Sequence, residues 1–301
     1  MANYLEMVVA GTLAGTISRI LLLRMDYRQY PGYPHGMIAH ISLGFIASAI
    51  GAVAIPAIIK PDFAAVTFLA LAAQQFREIR GMERKTLDNL DNTELVKRGN
   101  DYIEGIARTF EARNYLVMAT SMAVCAAYYF GQLPAAVIIA LLLFIFSKTF
   151  MAGETIGDIC DVEPARIHFD GSILKIDDIG LINVGLKEMR EKILKEGMGV
   201  IIKPKGANAR AVIHDVGQRM AIAHTAGTIL GVKKDVDTPE LTPLARKNID
   251  TGEVGLYILP AIMDMEALLL AVKRTPVLES ARSKPLSTEA GRIAASKNGR
   301  G

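Results

Sequence analysis

The groups in this chain whose type could do chemistry are scattered carboxylates, a few histidines and one tripeptide. Asp250-Thr251-Gly252 closes a charged segment just before the apolar run Val254-Gly-Leu-Tyr-Ile258. An Asp in such a tight turn can work as an acid–base group when a second Asp shares its proton. The chain has no second Asp-Thr-Gly or Asp-Ser-Gly, so another copy would have to supply it, and Asp-Thr-Gly is equally a common turn before a strand. Glu104 lies in a charged, aromatic stretch. Glu154, Asp158 and Asp161 form an acidic run after the last long apolar segment, which reads as a metal or proton site or as a solvated linker. His168, His214 and His224 are too scattered for a metal set; His214 and His224 stand ten apart on one expected helix and share no face. No HExxH, GxSxG or CxxC occurs, so Cys125 and Cys160 give neither a zinc site nor a disulfide framework. Lys203-Pro-Lys-Gly-Ala-Asn-Ala-Arg210 joins a strand to a helix and reads as an anion site or a plain connection; it matches neither GxGxxG nor a P-loop. The candidate catalytic carboxylates are therefore Glu104, Asp158 and Asp250, with no metal and no cofactor expected.

What must position these groups is a chain of two compositions. Of the 301 residues 51% are hydrophobic, yet the long apolar runs fall within residues 4–152 and the rest has ordinary soluble composition. This predicts a membrane protein with an α-helical multi-span N-terminal half, residues 1–152, followed by a small α/β (α+β) domain over 153–278. The first span runs from Tyr4 to Leu23, lacks a basic leader and reads as a retained span rather than a cleaved signal. Gly11 and Gly15 have GxxxG spacing for close helix packing. Arg19, near Arg24, reads as a side chain that snorkels to the interface. A second span covers Met37 to Ile59, where His40, Gly44, Ser48 and Ala52 recur every four residues as a small polar stripe, with His40 a helix-to-helix hydrogen bonder. A third span starts at Phe63 and loses its apolar character at Gln74-Gln75, short for a bilayer. Spans from Tyr115 to Phe130 and from Ala135 to Phe150 flank a turn at Gly131–Pro134, which makes about five in all.

Five spans put the first loop, the loop of residues 76–113 and the C-terminal half on one side. That loop carries Arg77, Arg80, Arg84, Lys85, Lys97, Arg98, Arg108 and Arg113, against Lys60 alone on the opposite side. The positive-inside rule then places the N-terminus outside and the C-terminal domain in the cytoplasm. In that domain Asp170-Gly171 predicts a hairpin within Arg166–Ile176, Leu186–Glu196 a helix ended by Gly197, and Gly199–Lys203 a strand. A long helix over 207–230, a Pro/Thr loop over 236–243, a strand over 255–259 and a helix over 263–273 follow. The tail from Glu279 holds five basic and two acidic residues, a surplus equal to the whole chain's net charge of +3. It reads as disordered over 279–301, and the neutral remainder does not suggest a nucleic-acid partner. The expected partners are the lipid bilayer, a protein partner or substrate, and possible further copies of the chain.

Residues 98–113 lead into the fourth span. Ile103, Ile106, Ala107 and Phe110 fall on one helix face, with Glu104, Arg108 and Glu111 on the other. Gly105 in mid-helix costs about 1 kcal/mol against alanine, which points to a close backbone approach. Within this stretch Tyr102-Ile103-Glu104-Gly105-Ile106-Ala107 spells the motif that names the YIEGIA family, and the multi-span half with a trailing soluble domain resembles that family as well. The resemblance implies a membrane protein of endospore-forming bacteria, associated with sporulation and seated in the cell, forespore or spore membrane. It also implies a membrane-bound protease acting at the cytoplasmic face, with unassigned catalytic residues. Asp250-Thr-Gly resembles the turn of pepsin-like and retroviral proteases only locally. The alternative is a non-enzymatic scaffold or regulator displaying the cytoplasmic domain; a transporter fits least, since no inverted repeat is evident.

Overall fold

The computed structural model describes residues 4–26, 34–60, 63–150, 153–233 and 243–282. The Pro/Thr loop, the tail beyond 282 and most of the first interhelical loop lie outside the described residues. Two compact units emerge. The first is 1–85 with 106–153; the second is 86–105 with 154–301. The chain therefore passes between units within the polar loop as well as after the last apolar segment. Residues 86–105 group with the second unit because they pack on its helix Val216–Leu230.

The first unit is helical. It contains α1 (Tyr4–Asp26), α2 (Pro34–Ile59), α3 (Phe63–Arg77), the start of α4 (Ile79–Asp91) and most of α5 (Asn100–Phe150). Among the described residues, three helices are long and apolar enough to cross a membrane, at Tyr4–Leu23, Gly36–Ile59 and Asn100–Ser147. That count differs from five for two reasons. α3 has 15 residues, roughly 22 Å of helix against a hydrocarbon core of roughly 30 Å. The fourth and fifth apolar segments are joined in α5, broken only by non-helical backbone at Gly131 (φ −135°) and Gln132 (φ 58°) before Pro134. Ala136, Ile139, Ala140 and Phe144 beyond the break pack on the same cluster as Val124, Cys125 and Tyr128 before it, together with Met7, Ala14 and Ala52. The two arms of α5 thus return onto one core.

Small residues set the helix spacing. A Cβ on Gly15 would lie 2.5 Å from Ser48 Oγ and 3.1 Å from the Val117 carbonyl; one on Gly11 would lie 2.9 Å from the Ser121 carbonyl, and one on Gly51 would collide with the Met118 carbonyl. Ser121 Oγ donates to the Ser48 carbonyl at 2.6 Å, so α2 and α5 are bonded where they touch. The stripe of His40, Gly44, Ser48 and Ala52 is buried along its length, as its spacing requires.

The second unit holds two antiparallel sheets. Strands β1 (Cys160–Pro164), β5 (Met198–Pro204), β7 (Val254–Ile258) and β6 (Leu244–Lys247) form one, in that order; β2 (Ile167–Asp170), β3 (Ile173–Ile176) and β4 (Ile179–Asn183) form a meander. β7 is buried along its length and β5 through Ile202, because both have sheet neighbours on each side and apolar layers above and below. Ile176 of the meander sits over Gly199 and Gly255, where a Cβ would stand 2.6 and 3.2 Å from it. Gly171, at φ +63°, makes the Asp170-Gly171 hairpin turn. The helices are the four-residue α6 (Ile156–Ile159), α7 (Lys187–Glu196), α8 (Ala207–His214), α9 (Val216–Leu230) and α10 (Met265–Arg274). The expected single helix over 207–230 is two. Asp215, extended at ψ 137°, ends α8 and caps α9 through Gln218 N–H, 2.9 Å from its carboxylate. Glu279–Ala281 is one 3-10 turn with Ala281 buried, so the ordered fold reaches past 279.

Glycine substitutions separate the packing positions from the free ones. Gly51→Ala should lower the thermal midpoint of the detergent-solubilised protein, with about 1–3 kcal/mol lost to overpacking against a carbonyl that cannot rotate away. Gly81→Ala in α4, whose Cβ would meet nothing within 4 Å, should raise it by up to about 1 kcal/mol.

Candidate functional site

The first four motif residues, Tyr102 to Gly105, belong to the second unit. After α4 the chain turns through residues 92–99, and Asp91 closes that turn. Its carboxylate accepts from Arg98 N–H at 2.7 Å and from Gly99 N–H at 3.1 Å. The Arg98 guanidinium donates to Glu94 at 2.6 Å. Gly99, at φ +79°, starts α5 by offering its carbonyl to Ile103 N–H.

α9 receives this strap on one face. Gly217, Met220, His224 and Gly227 recur at helical spacing, and each meets it in turn. A Cβ on Gly217 would lie 2.9 Å from the Asp101 carbonyl, and one on Gly227 would lie 2.8 Å from Val96. Met220 Sδ fills the space beside Gly99. His224 Nδ1 is 2.7 Å from the Val96 carbonyl, which requires the Nδ1–H tautomer. Burial first, then the nearby Arg98 charge, hold the His224 pKa below its usual value, so the ring is neutral at pH 7. Tyr102 meets that ring edge-on, with centroids 6.3 Å apart.

Gly105 faces Ser280 Oγ, 2.5 Å from where a Cβ would stand, and Leu278 beyond it. The close approach expected from a mid-helix glycine is thus present. The residues it meets are held by Gln218, fully buried in α9, which donates to the Pro276 carbonyl at 3.1 Å and accepts from Leu278 N–H at 2.7 Å. Of the motif, Tyr102, Ile103, Gly105, Ile106 and Ala107 are buried and Glu104 is half-buried. Phe110 is buried too, which completes the face expected from the spacing.

The other carboxylate candidates are in local structure. Asp158 closes a capping box on α6, accepting from Thr155 N–H at 2.7 Å and Thr155 Oγ1 at 2.9 Å. Those two bonds hold its pKa below the usual carboxylate value. Asp250 is exposed in the turn between β6 and β7, where Asn248 Oδ1 accepts from Asp250 N–H at 2.9 Å and Gly252 takes φ +83°. His214 Nε2 lies 3.0 Å from the Gly252 carbonyl and Arg210 donates to the Ile249 carbonyl, so both side chains brace this turn. His214 and His224 lie on different helices and hold different turns.

The Lys203–Arg210 connection has its cations engaged. Lys203 donates to Glu163 at 2.6 Å, and Lys205 to the Gly157 and Asp158 carbonyls at 3.2 and 3.4 Å. Among the described residues, no three His, Cys, Asp or Glu side chains come together as metal ligands.

One constellation is not evident from the sequence motifs, and it lies in the helical unit. Arg19 is fully buried rather than snorkelled to an interface. Its stem lies against Gly44, where a Cβ would stand 2.9 Å from Arg19 Cβ, and its guanidinium sits 5.4 Å over the Phe110 ring. His40 is 2% exposed and tilts onto the same ring at 4.6 Å. His40 Nε2 is 3.6 Å from Glu83 Oε1 of α4. Burial raises the Glu83 pKa from 4.5 to about 7 against the pull of Arg19. A sequence signal existed: ionisable residues inside long apolar segments, Arg19 and His40, call for a partner. Glu83 was hidden among the many charges of a helix that reads as solvated.

The motif glycine can be tested by side-chain size. Gly105→Ala should be tolerated, since Ser280 Oγ can rotate away and alanine favours the helix. Gly105→Leu should leave membrane insertion intact, impair function, and raise hydrogen exchange across residues 275–282, read by mass spectrometry. Unchanged protection and function with leucine would show that nothing is seated there. For Glu83, the folded state binds more protons than the unfolded chain between pH 4.5 and about 7. Stability therefore falls as pH rises through that window. Glu83→Gln should be near neutral in melting assays at about pH 4.5 and stabilising above about pH 7.

The sequence comparisons can be set beside this geometry. The model of the family described as YIEGIA protein matches residues 7–288. The chain is 45% identical over 285 residues to "Uncharacterized protein YphB" of Bacillus subtilis (strain 168), covering 95% of this chain and 96% of that protein. No solved structure matches. A family match over nearly the whole length, with the signature hexapeptide at the junction of strap and helix, means that this chain belongs to the YIEGIA family.

Proposed function

We propose that this protein is a sporulation-associated integral membrane protein that displays its second unit in the cytoplasm as a scaffold or regulator for a protein partner. The observation that carries the reading is the seat of the family motif. Tyr102 packs against His224 and Gly105 against Ser280 within the second unit. The signature residues thus tie a soluble domain to the chain that enters the membrane. The sporulation setting, in the cell, forespore or spore membrane, follows from family resemblance. Five passes, with the N-terminus outside, are supported by the two arms of α5 sharing one core. The eight Lys and Arg between residues 76 and 113 support the same orientation.

A second reading is a membrane-bound protease at the cytoplasmic face, using Glu104, Asp158 or Asp250. The observation in favour of acid–base chemistry is the buried Glu83 beside His40, whose carboxyl titrates near neutrality.

A carboxylate scan separates the two. Glu104→Gln, Asp158→Asn, Asp250→Asn and Glu83→Gln should leave both the protein's abundance and the spore protein profile unchanged if it is a scaffold. One variant that keeps full abundance yet stops the loss of a spore protein would move the assignment to the protease. Orientation is checked by single cysteines: position 132 should label from outside and position 90 only after permeabilisation, and the reverse pattern would refute it.

A further inference from the structure

We propose that Glu83 and His40 form a proton-binding site inside the helical unit, in which one exchangeable proton sets whether α4 presents a neutral acid or a carboxylate to the fixed charge of Arg19. This goes beyond either reading of the cellular role and rests on neither.

Three elements converge to make the site. α1 supplies Arg19, α2 supplies His40 and α4 supplies Glu83, with side-chain exposures of 2% for His40 and 10% for Glu83 and a fully buried Arg19. The Phe110 ring of α5 underlies both Arg19 and His40, so an apolar surface backs the polar groups and keeps the local dielectric low. Glu83 Oε1 is buried and accepts no hydrogen bond among the described residues, while His40 Nε2 lies 3.6 Å away. Closing that gap by about half an ångström would make a carboxylic O–H to imidazole bond.

The packed elements carry several charged groups, and α4 alone holds Arg80, Arg84, Lys85, Asp88 and Asp91 besides Glu83. Arg19 comes from α1 and His40 from α2. α4 adds Arg80, which lies 3.6 Å from Glu111 of α5, and α5 adds the buried Arg113. α3 contributes the apolar Phe76. An arginine cannot be deprotonated here, so the adjustable charge in the site belongs to Glu83 and His40.

The proton exchange balances. With Glu83 protonated and His40 neutral, the pair carries no charge. Transfer of that proton gives a carboxylate and an imidazolium, again with no net charge. Loss of the proton to solvent leaves a carboxylate opposite Arg19. These states differ in the charge that α4 presents to Arg19 of α1 and to His40 of α2. Burial places the Glu83 midpoint at about 7, so the site changes occupancy across the neutral range. α4 continues to Asp91, the carboxylate that closes the strap turn, so the helix that binds the proton also carries that residue.

The test uses the full-length protein in lipid nanodiscs. Infrared difference spectra between about pH 5.5 and about pH 8.5 should show the carbonyl stretch of a protonated carboxyl that disappears with a midpoint near 7. Glu83→Gln should lack that band. Glu83→Asp should keep a titrating band at a shifted midpoint, which guards against a folding defect in the first variant. Arg19→Gln should move the midpoint up by about one pH unit, because the charge that favours the carboxylate is gone. Protection along α4, taken relative to the intrinsic exchange rate at each pH, should change with pH in the wild type and not in Glu83→Gln. A band that survives Glu83→Gln, or a wild-type midpoint in the ordinary carboxylate range, would overturn the proposal. The infrared result is independent of the spore phenotype, so this site can fail while the scaffold reading stands, and the reverse.

Discussion

The burial of Arg19 is the constraint around which the helical unit is arranged. A guanidinium keeps its charge under any condition a protein survives, so it cannot escape desolvation by losing a proton. Its neighbours must compensate. Gly44 leaves room for the aliphatic stem, Phe110 offers a ring face to the cation, and Glu83 supplies the opposite charge from a helix outside the long apolar segments. Helices α1, α2, α4 and α5 each contribute one of these groups, which fixes their contacts more specifically than apolar packing could. The desolvation that Arg19 needs offset also raises the Glu83 pKa. A counter-ion placed in that environment becomes a proton site.

Glycine plays the corresponding part in both units. In the helical unit Gly11, Gly15 and Gly51 admit carbonyls and small polar side chains of the neighbouring helices, so association rests on close packing and interhelical hydrogen bonds. In the second unit Gly217 and Gly227 do the same for a strap of irregular backbone laid along α9. Irregular backbone is difficult to bury because its polar groups need partners. Here the Val96 carbonyl is satisfied by His224 and the Arg98 and Gly99 N–H groups by Asp91. The strap is therefore a polar seam with matched donors and acceptors, and the family hexapeptide begins where it ends.

Periodicity made much of this legible. The Ile103, Ile106, Ala107 and Phe110 face, the His40 to Ala52 stripe, the GxxxG packing of α1 and the Asp170-Gly171 hairpin follow from spacing alone, since helices and strands present side chains at fixed intervals. The exceptional cost of a mid-helix glycine pointed correctly to a close approach at Gly105. The division of α8 from α9 was less accessible, because Asp215 interrupts an otherwise helical pattern through its own capping bond. The turn expected from Gly131 and Pro134 is present as non-helical backbone at Gly131 and Gln132, with helix on either side.

The sequence by itself determined that this chain has a strongly apolar half and a soluble half, which residues face inward on most elements, and the family to which it belongs. Those are properties of composition, period and local identity. Only the tertiary structure decided the partners of the polar residues. It buried Arg19 within the helical unit, brought His40 within 3.6 Å of Glu83 on another helix, turned Asp158 into a cap and left Asp250 in an exposed turn. It also assigned residues 86–105 to the second, α/β unit. These outcomes depend on distances between residues tens to hundreds of positions apart, and a charged side chain looks the same in sequence whether it ends in water or beside a buried counter-charge.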